Sequence, residues 1–454
     1  MRRAKPEVIF AVFAVLFGLI FCALIPPLGG GNETFNFSRV VSVAYGHMLV
    51  GDITVPSGLV RLIQQAGAHF TESATLPLGY KARFVGELAV LKLDAGMPGV
   101  LAANPIAVLN PLAYMPQAAV VRAAALFGVA PLQLFYAARL TGLACAVLLT
   151  YWAIQQAPSH KYLLCAIALL PPLTFSRSTV DADQVTTALA FLFVGSVWRA
   201  IVREDVARPR ELGWLAAMAF VIAQCKGAYV VLPLLVLAIP AHRFAGGRAR
   251  LTWLAVLIVP GAIADAAYML ALKYSYFAGL SYHTWAGQPD PSRQLALILH
   301  DPFLYARVLA RTVFATGLIP LSVLQMLGTF GPPLTLPGAV VVTLAALMGV
   351  IVVTDGTGAA VTYPKAAAWL AVLIAAAVLG IALTLLYIQW TGYAAPSVQG
   401  FQGRYLYPVL PVLMVFLRAT RRDVLGIGAA GWVLALAGIG LGSASWFAAA
   451  AYYG

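Results

Sequence analysis

Charge is scarce in this chain. Asp, Glu, Lys and Arg make up 10% of its 454 residues, against about 25% in an ordinary soluble domain. That shortage excludes a multidomain soluble enzyme, which needs a charged surface around each domain. It also excludes a disordered chain. Cysteine is rare too. Cys22, Cys145, Cys165 and Cys225 each sit in an apolar segment, too dispersed for a metal motif and badly placed for extracellular disulfides. The six histidines are scattered with no His-x-x-x-His pair, so no histidine-based metal centre can be argued. No P-loop is present, and a nucleotide is not required. A divalent ion held by carboxylates alone stays open.

Apolar residues are what the chain has in excess: they make up 61% of it, with a mean hydropathy of +0.87. The expected class is therefore all-α, a polytopic transmembrane helical bundle forming a single membrane domain over 1–454. The net charge is +13, but the basic residues collect in short loops between apolar runs. This is the pattern of cytoplasmic anchoring, and no nucleic-acid partner is implied.

The apolar runs predict about 11 spans: 8–25, 134–155, 161–175, 183–200, 211–225, 227–241, 251–272, 338–354, 365–387, 404–417 and 424–446. The run 211–241 also reads as one broken element. The stretch 113–130 resembles a span, but Arg122 lies at its middle, and a charge there costs about 2.5 kcal/mol or more. It reads better as a helix at the outer interface. Pro302–Phe314, with Arg307 and Arg311, reads the same way. Arg199, Arg203, Arg208 and Arg210 follow the span 183–200 and mark an inner loop, as do Lys365 and Arg418, Arg421 and Arg422. The N-terminus is then inside. Two large segments, 27–133 and 273–337, lie outside, so any chemistry belongs to the outer face.

Several polar residues need a reason. Glu33 falls just beyond the first span, after Gly29-Gly30-Gly31. It reads either as a general base or as a solvated loop acid. Asp181 and Asp183 open a helix, where carboxylates are favoured; they cap it or line a cavity with Gln184 and Thr187. Gln402-Gly403-Arg404-Tyr405 enters another span. Arg404 suits bidentate contact with a phosphate, and Tyr405 also reads as an interface aromatic. Lys226 and Arg139 lie in or beside apolar runs, where a cation must snorkel or pair with an anion.

With these residues in hand the chain resembles the DUF2142 group of bacterial polytopic membrane proteins, which in turn resembles the GT-C superfamily of polyprenyl-phosphate-sugar-dependent glycosyltransferases. The resemblance runs through Pro26-Pro27, Asn32-Glu33, Phe37, Asn110-Pro111, Ala138-Arg139-Leu140, Val180-Asp181-Ala182-Asp183, Lys226 and Tyr229, and it is most specific at Gln402-Gly403-Arg404-Tyr405 with Pro408. It implies a GT-C-like bundle with interfacial helices in the first outer loop. It also implies an inverting sugar transfer at the outer face of a bacterial cytoplasmic membrane. The partners would be a polyprenyl-phosphate-linked sugar donor, a glycan or lipid-linked acceptor, and the membrane lipids themselves. GT-C enzymes often carry an Asp-Glu pair in that loop. Here the pair is Asn32-Glu33, so the base role falls to Glu33 or lies elsewhere, for example at Asp52. Arg404 and Lys226 would hold the phosphate, and Asp181 and Asp183 the sugar or a basic partner. Three other functions fit the same pattern: a lipid-linked glycan transporter or flippase, a polysaccharide polymerase or ligase, and a noncatalytic envelope-assembly protein.

Overall fold

A computed structural model of the chain describes residues 4–49, 51–72, 80–102, 106, 109–276, 290–331, 334–358, 361–417 and 423–453. Arg418, Arg421 and Arg422 lie outside the described residues, as do 277–289 of the second outer segment and 73–79 of the first.

The protein is all-α and polytopic, with two short antiparallel strand pairs, Ile53–Pro56 with Pro98–Leu101 and Thr329–Gly331 with Leu334–Thr335. Six described helices are long and apolar enough to cross a membrane: Pro6–Leu24, Pro131–Gln156, Ala182–Val202, Gly247–Leu272, Lys365–Gln389 and Ala429–Tyr453. A seventh is reached if the bent pair Pro302–Ala315 and Leu318–Gly328, which meet at 55°, counts as one broken span.

This corrects the expectation of 11 spans, and the reason is length. The run expected at 161–175 is split into Lys161–Ala168 and Pro171–Arg177, with two prolines opening the second piece. Pro209–Cys225 and Gly338–Thr354 have 17 residues each, about 25 Å of helix, at the short limit of the roughly 17–25 residues of a span. The 227–241 run is 3₁₀ helix at Gly227–Tyr229 and Leu232–Ala238, and the 404–417 run is a chain of short turns with Pro408 and Pro411 inside it. Hydropathy registers apolar content but not the break that proline imposes on the backbone ladder. The stretch 302–314, expected to lie at the interface, forms part of the bent pair. Within 113–130 the structure has a helix at Met115–Ala125, whose Arg122 sits 4.9 Å above the Tyr45 ring.

Pro131–Gln156 and Ala182–Val202 run parallel. Gly142 lies against Gln184 at one end, and Gly195 lies against Ala153 and Ala157 at the other. Small residues let two helix backbones approach where no hydrophobic effect drives them together. The main apolar core lies among the long helices. A second buried cluster is built from Phe37, Val40, Leu59, Phe84, Tyr114 and Phe135, so the segment after the first helix packs as a cap over one end of the bundle. At the opposite end, Tyr162 donates to the Ala4 carbonyl and Asp355 accepts from the Leu163 N–H. The chain thus has two chemically different ends.

Candidate functional site

The site is built at the end that carries the cap. Pro171–Arg177 stops at Ser178, and the chain turns through Thr179 and Val180 into Ala182–Val202. Asp181 is the N-cap of that helix and accepts from the Asp183 N–H at 3.1 Å. Two carboxylates therefore sit at the positive end of a long helix, where they are favoured.

Two cations reach these carboxylates from distant parts of the chain. Arg404 donates from Nη1 to Asp181 Oδ2 at 3.0 Å, and its Nε is 3.6 Å from Asp183 Oδ2. Lys226 Nζ donates to Asp183 Oδ1 at 2.9 Å and lies 4.1 Å above the Tyr405 ring. The local sequence explains both. Lys226 is the extended joint between Pro209–Cys225 and a 3₁₀ turn. Gly403 rests on Leu318–Gly328: its N–H donates to Gln325 Oε1 at 2.6 Å, and a Cβ there would collide with the Ser322 carbonyl. Gly403→Ala is therefore expected to destabilise the fold by about 1–3 kcal/mol through overpacking, read as a lower thermal midpoint in detergent. An unchanged midpoint would contradict this close approach.

Asp181, Arg404, Asp183 and Lys226 form an alternating chain of charges. The cations are its more open members, with 27% of the Arg404 side chain and 21% of Lys226 exposed against 8% and 11% for the aspartates. Among the described residues the Arg404 Nε has no hydrogen-bond partner. Burial, and next the neighbouring Asp183, push the Asp181 carboxyl above the usual carboxylate range, while Arg404 pulls it back.

Three cavities meet at this cluster. One of about 390 Å³ is polar on one side, with Asn32, Ser176, Thr187, Gln325 and Gln402 beside both aspartates and Arg404. One of about 360 Å³ is largely apolar, lined by Val230, Met269, Ile381, Leu385 and Leu386, with Lys226 and Tyr405 at its edge. A third of about 210 Å³ shares Asn32, Asp181, Asp183 and Arg404 with the first and Lys226, Leu386 and Tyr405 with the second. The charge cluster thus stands between a mixed space, whose other side is Pro172, Leu173, Phe175, Phe330 and Tyr407, and a largely apolar one.

Of the residues singled out in the sequence, Asp181, Asp183, Lys226, Arg404, Tyr405 and Gln402 come together here. Glu33, Arg139 and Asp52 do not. Glu33 and Arg139 pair with each other at 2.6 and 2.8 Å, with neither side chain exposed at all. Glu33 also accepts from the Val180 N–H at 2.7 Å and the Gly30 N–H at 3.1 Å. Arg139 spends its remaining donors on the carbonyls of Cys22, Ile25 and Pro26. This pair ties the end of the first helix to the loop before the site. Asp52 is exposed, ahead of the strand Ile53–Pro56, and lines none of the three cavities.

Asn32, which stands where an acid was expected, has a left-handed backbone (φ 61°) that asparagine tolerates. It lines both cavities that hold the aspartates. Gln325 lies in the segment 273–337, which the sequence reads only as a large outer segment, and it is not singled out there. Its signal is a lone amide among apolar residues. Among the described residues no group of three or more His, Cys, Asp or Glu gathers to hold a metal ion, and both aspartates already face cations.

The DUF2142 family model, described as a predicted membrane protein, matches residues 15–413. No curated protein and no solved structure matches the chain.

Proposed function

The chain belongs to the DUF2142 family of predicted membrane proteins, and from that premise we propose that it transfers a sugar from a polyprenyl-phosphate carrier to a glycan or lipid-linked hydroxyl. One observation carries the reading: the Asp181–Arg404–Asp183–Lys226 cluster lies between a largely apolar cavity and a second one with a polar side. A lipid phosphate has the same division, with a hydrocarbon chain on one side of its charge and a sugar on the other. The isoprenoid tail fits the cavity of Met269, Ile381 and Leu385. The sugar and acceptor fit the cavity of Asn32, Gln325 and Gln402.

In the proposed step Asp181 takes the proton of the acceptor hydroxyl. The oxygen attacks the anomeric carbon, the bond from that carbon to the phosphate oxygen breaks, and polyprenyl phosphate leaves with the electron pair. A single displacement inverts the anomeric centre. Arg404 and Lys226 meet the charge that develops on the leaving phosphate, where fixed cations are most effective. Asp183 holds both cations in position. The resemblance of the sequence motifs to GT-C enzymes implies a base in the first outer loop; the proposed step moves that role to Asp181. The arginine-rich end of the bundle fits the cytoplasmic side. The reacting face, with the cap built from segment 27–133, is then periplasmic or extracellular.

The test is reconstitution in proteoliposomes with a panel of polyprenyl-phosphate sugars and an envelope extract as acceptor. The expected result is stoichiometric formation of glycosylated acceptor and free polyprenyl phosphate. Movement of the intact donor across the bilayer with no bond formed would replace this reading with a flippase.

The raised position of Asp181 gives a sign for pH dependence. A base must be deprotonated, so the acid limb of the transfer rate lies above the usual aspartate range. Asp183→Asn removes one cause of the raise and moves the limb of the residual activity to lower pH. A limb that moves upward or stays in place in the pH profile contradicts Asp181 as the base.

A further inference from the structure

A second built cavity lies at the other end of the same helix. It has a volume of about 690 Å³ and is lined by Arg199, Arg203, Arg208 and Arg210, with Trp152 and Trp214 on its wall. Roughly 30 Å of helix separates Asp183 from Arg203, about the thickness of a hydrocarbon core, so this cavity belongs to the opposite membrane face. It takes no part in the charge cluster described above.

Among the described residues its arginines are largely without acidic partners. One acid, Glu211, lines it. That carboxylate is held at 3.0 Å by the buried Arg243 and reaches Arg203 only at 3.9 Å. Arg199 donates to the neutral Gln156 amide at 2.5 Å. Among the described residues no carboxylate lies within ion-pair distance of Arg199, Arg208 or Arg210. The first turn of Pro209–Cys225 forms part of the wall, and that helix has no side-chain cap, so its positive end adds to the field. The two tryptophans are each 48% exposed, with ring centroids 6.0 Å apart. Tryptophans half-exposed at the end of membrane helices sit at headgroup level.

We propose that this cavity binds the phosphate group of an anionic membrane lipid in the leaflet opposite the reacting face. The guanidinium groups match phosphate oxygens in geometry, and the tryptophan wall accounts for a ligand that carries an apolar tail. The inference does not depend on the proposed sugar transfer.

The test is native mass spectrometry of the delipidated full chain titrated with phosphatidylglycerol, with phosphatidylcholine and with inorganic phosphate, beside Arg208→Gln/Arg210→Gln. Both arginines are exposed, and thermal unfolding checks that the double variant keeps its fold; Arg210→Gln alone replaces it if it does not. The expected result is one tightly held phosphatidylglycerol, weaker retention of phosphatidylcholine, and on the order of a 10-fold loss of phosphatidylglycerol affinity in the variant. Three results would overturn the proposal: equal retention of the two lipids, unchanged phosphatidylglycerol affinity in the variant, or displacement of the lipid by inorganic phosphate at equal concentration. The last would make it a soluble-phosphate site.

Discussion

Glu33→Gln is expected to unfold the protein rather than to silence it selectively. Both members of the Glu33–Arg139 pair are fully buried. Removing one charge leaves the other without its counter-ion in a low-dielectric interior, a loss of about 3–5 kcal/mol. The damage extends beyond the pair, because Glu33 also receives the Val180 N–H at the turn into the reacting helix. The thermal midpoint in detergent should fall sharply, and the yield of folded protein with it. The double variant Glu33→Gln/Arg139→Gln should recover part of the loss, since no lone charge is then buried. The measurement is a double-mutant cycle on thermal unfolding. A Glu33→Gln protein of wild-type stability that fails only in sugar transfer would make Glu33 a reacting group and displace Asp181 from that role.

Arg404→Gln has a different expected signature. Arg404 touches both aspartates, and more than a quarter of its side chain is open. Its loss removes a fixed donor from the place where phosphate charge develops, which lowers turnover by about 10²–10³-fold. It also removes the group that draws Asp181 down, so the acid limb of any residual activity moves to higher pH. Arg404→Lys restores charge but not the fork that spans two carboxylates, so it should recover little. Kinetics across pH, with carrier binding measured separately, would check this. Wild-type turnover in Arg404→Gln contradicts a role for the cluster in transfer.

The sequence made the class of the protein plain, and it singled out most of the side chains that gather in the charge cluster. Asp181 and Asp183 stand out as carboxylates opening a helix, Arg404 as a guanidinium suited to phosphate, and Lys226 as a cation that must snorkel or pair with an anion. Their mutual pairing was hidden, because residues 181, 226 and 404 come from separate segments, and nothing in their local pattern encodes the meeting. Glu33 stands out as an acid just beyond the first span and Arg139 as a cation in an apolar run, but sequence cannot tell a carboxylate facing a cavity from one sealed against an arginine. The span count failed at the short and proline-broken elements such as 161–177 and 403–416, where apolar content and helix continuity part company. Gly403 carries a further lesson. The most specific motif owes its glycine to close contact with the Leu318–Gly328 helix, a packing demand that becomes visible only in three dimensions.

The central claim is that Asp181 does the proton transfer in a sugar-transfer reaction at this cluster. Its most direct test is sugar transferred per folded protein in proteoliposomes, wild type beside Asp181→Asn, with polyprenyl-phosphate binding measured on the same preparations. The account predicts binding within a few-fold of wild type and transfer lower by about 10²–10⁴-fold, the usual worth of a general base. Transfer at the wild-type rate in Asp181→Asn would contradict it.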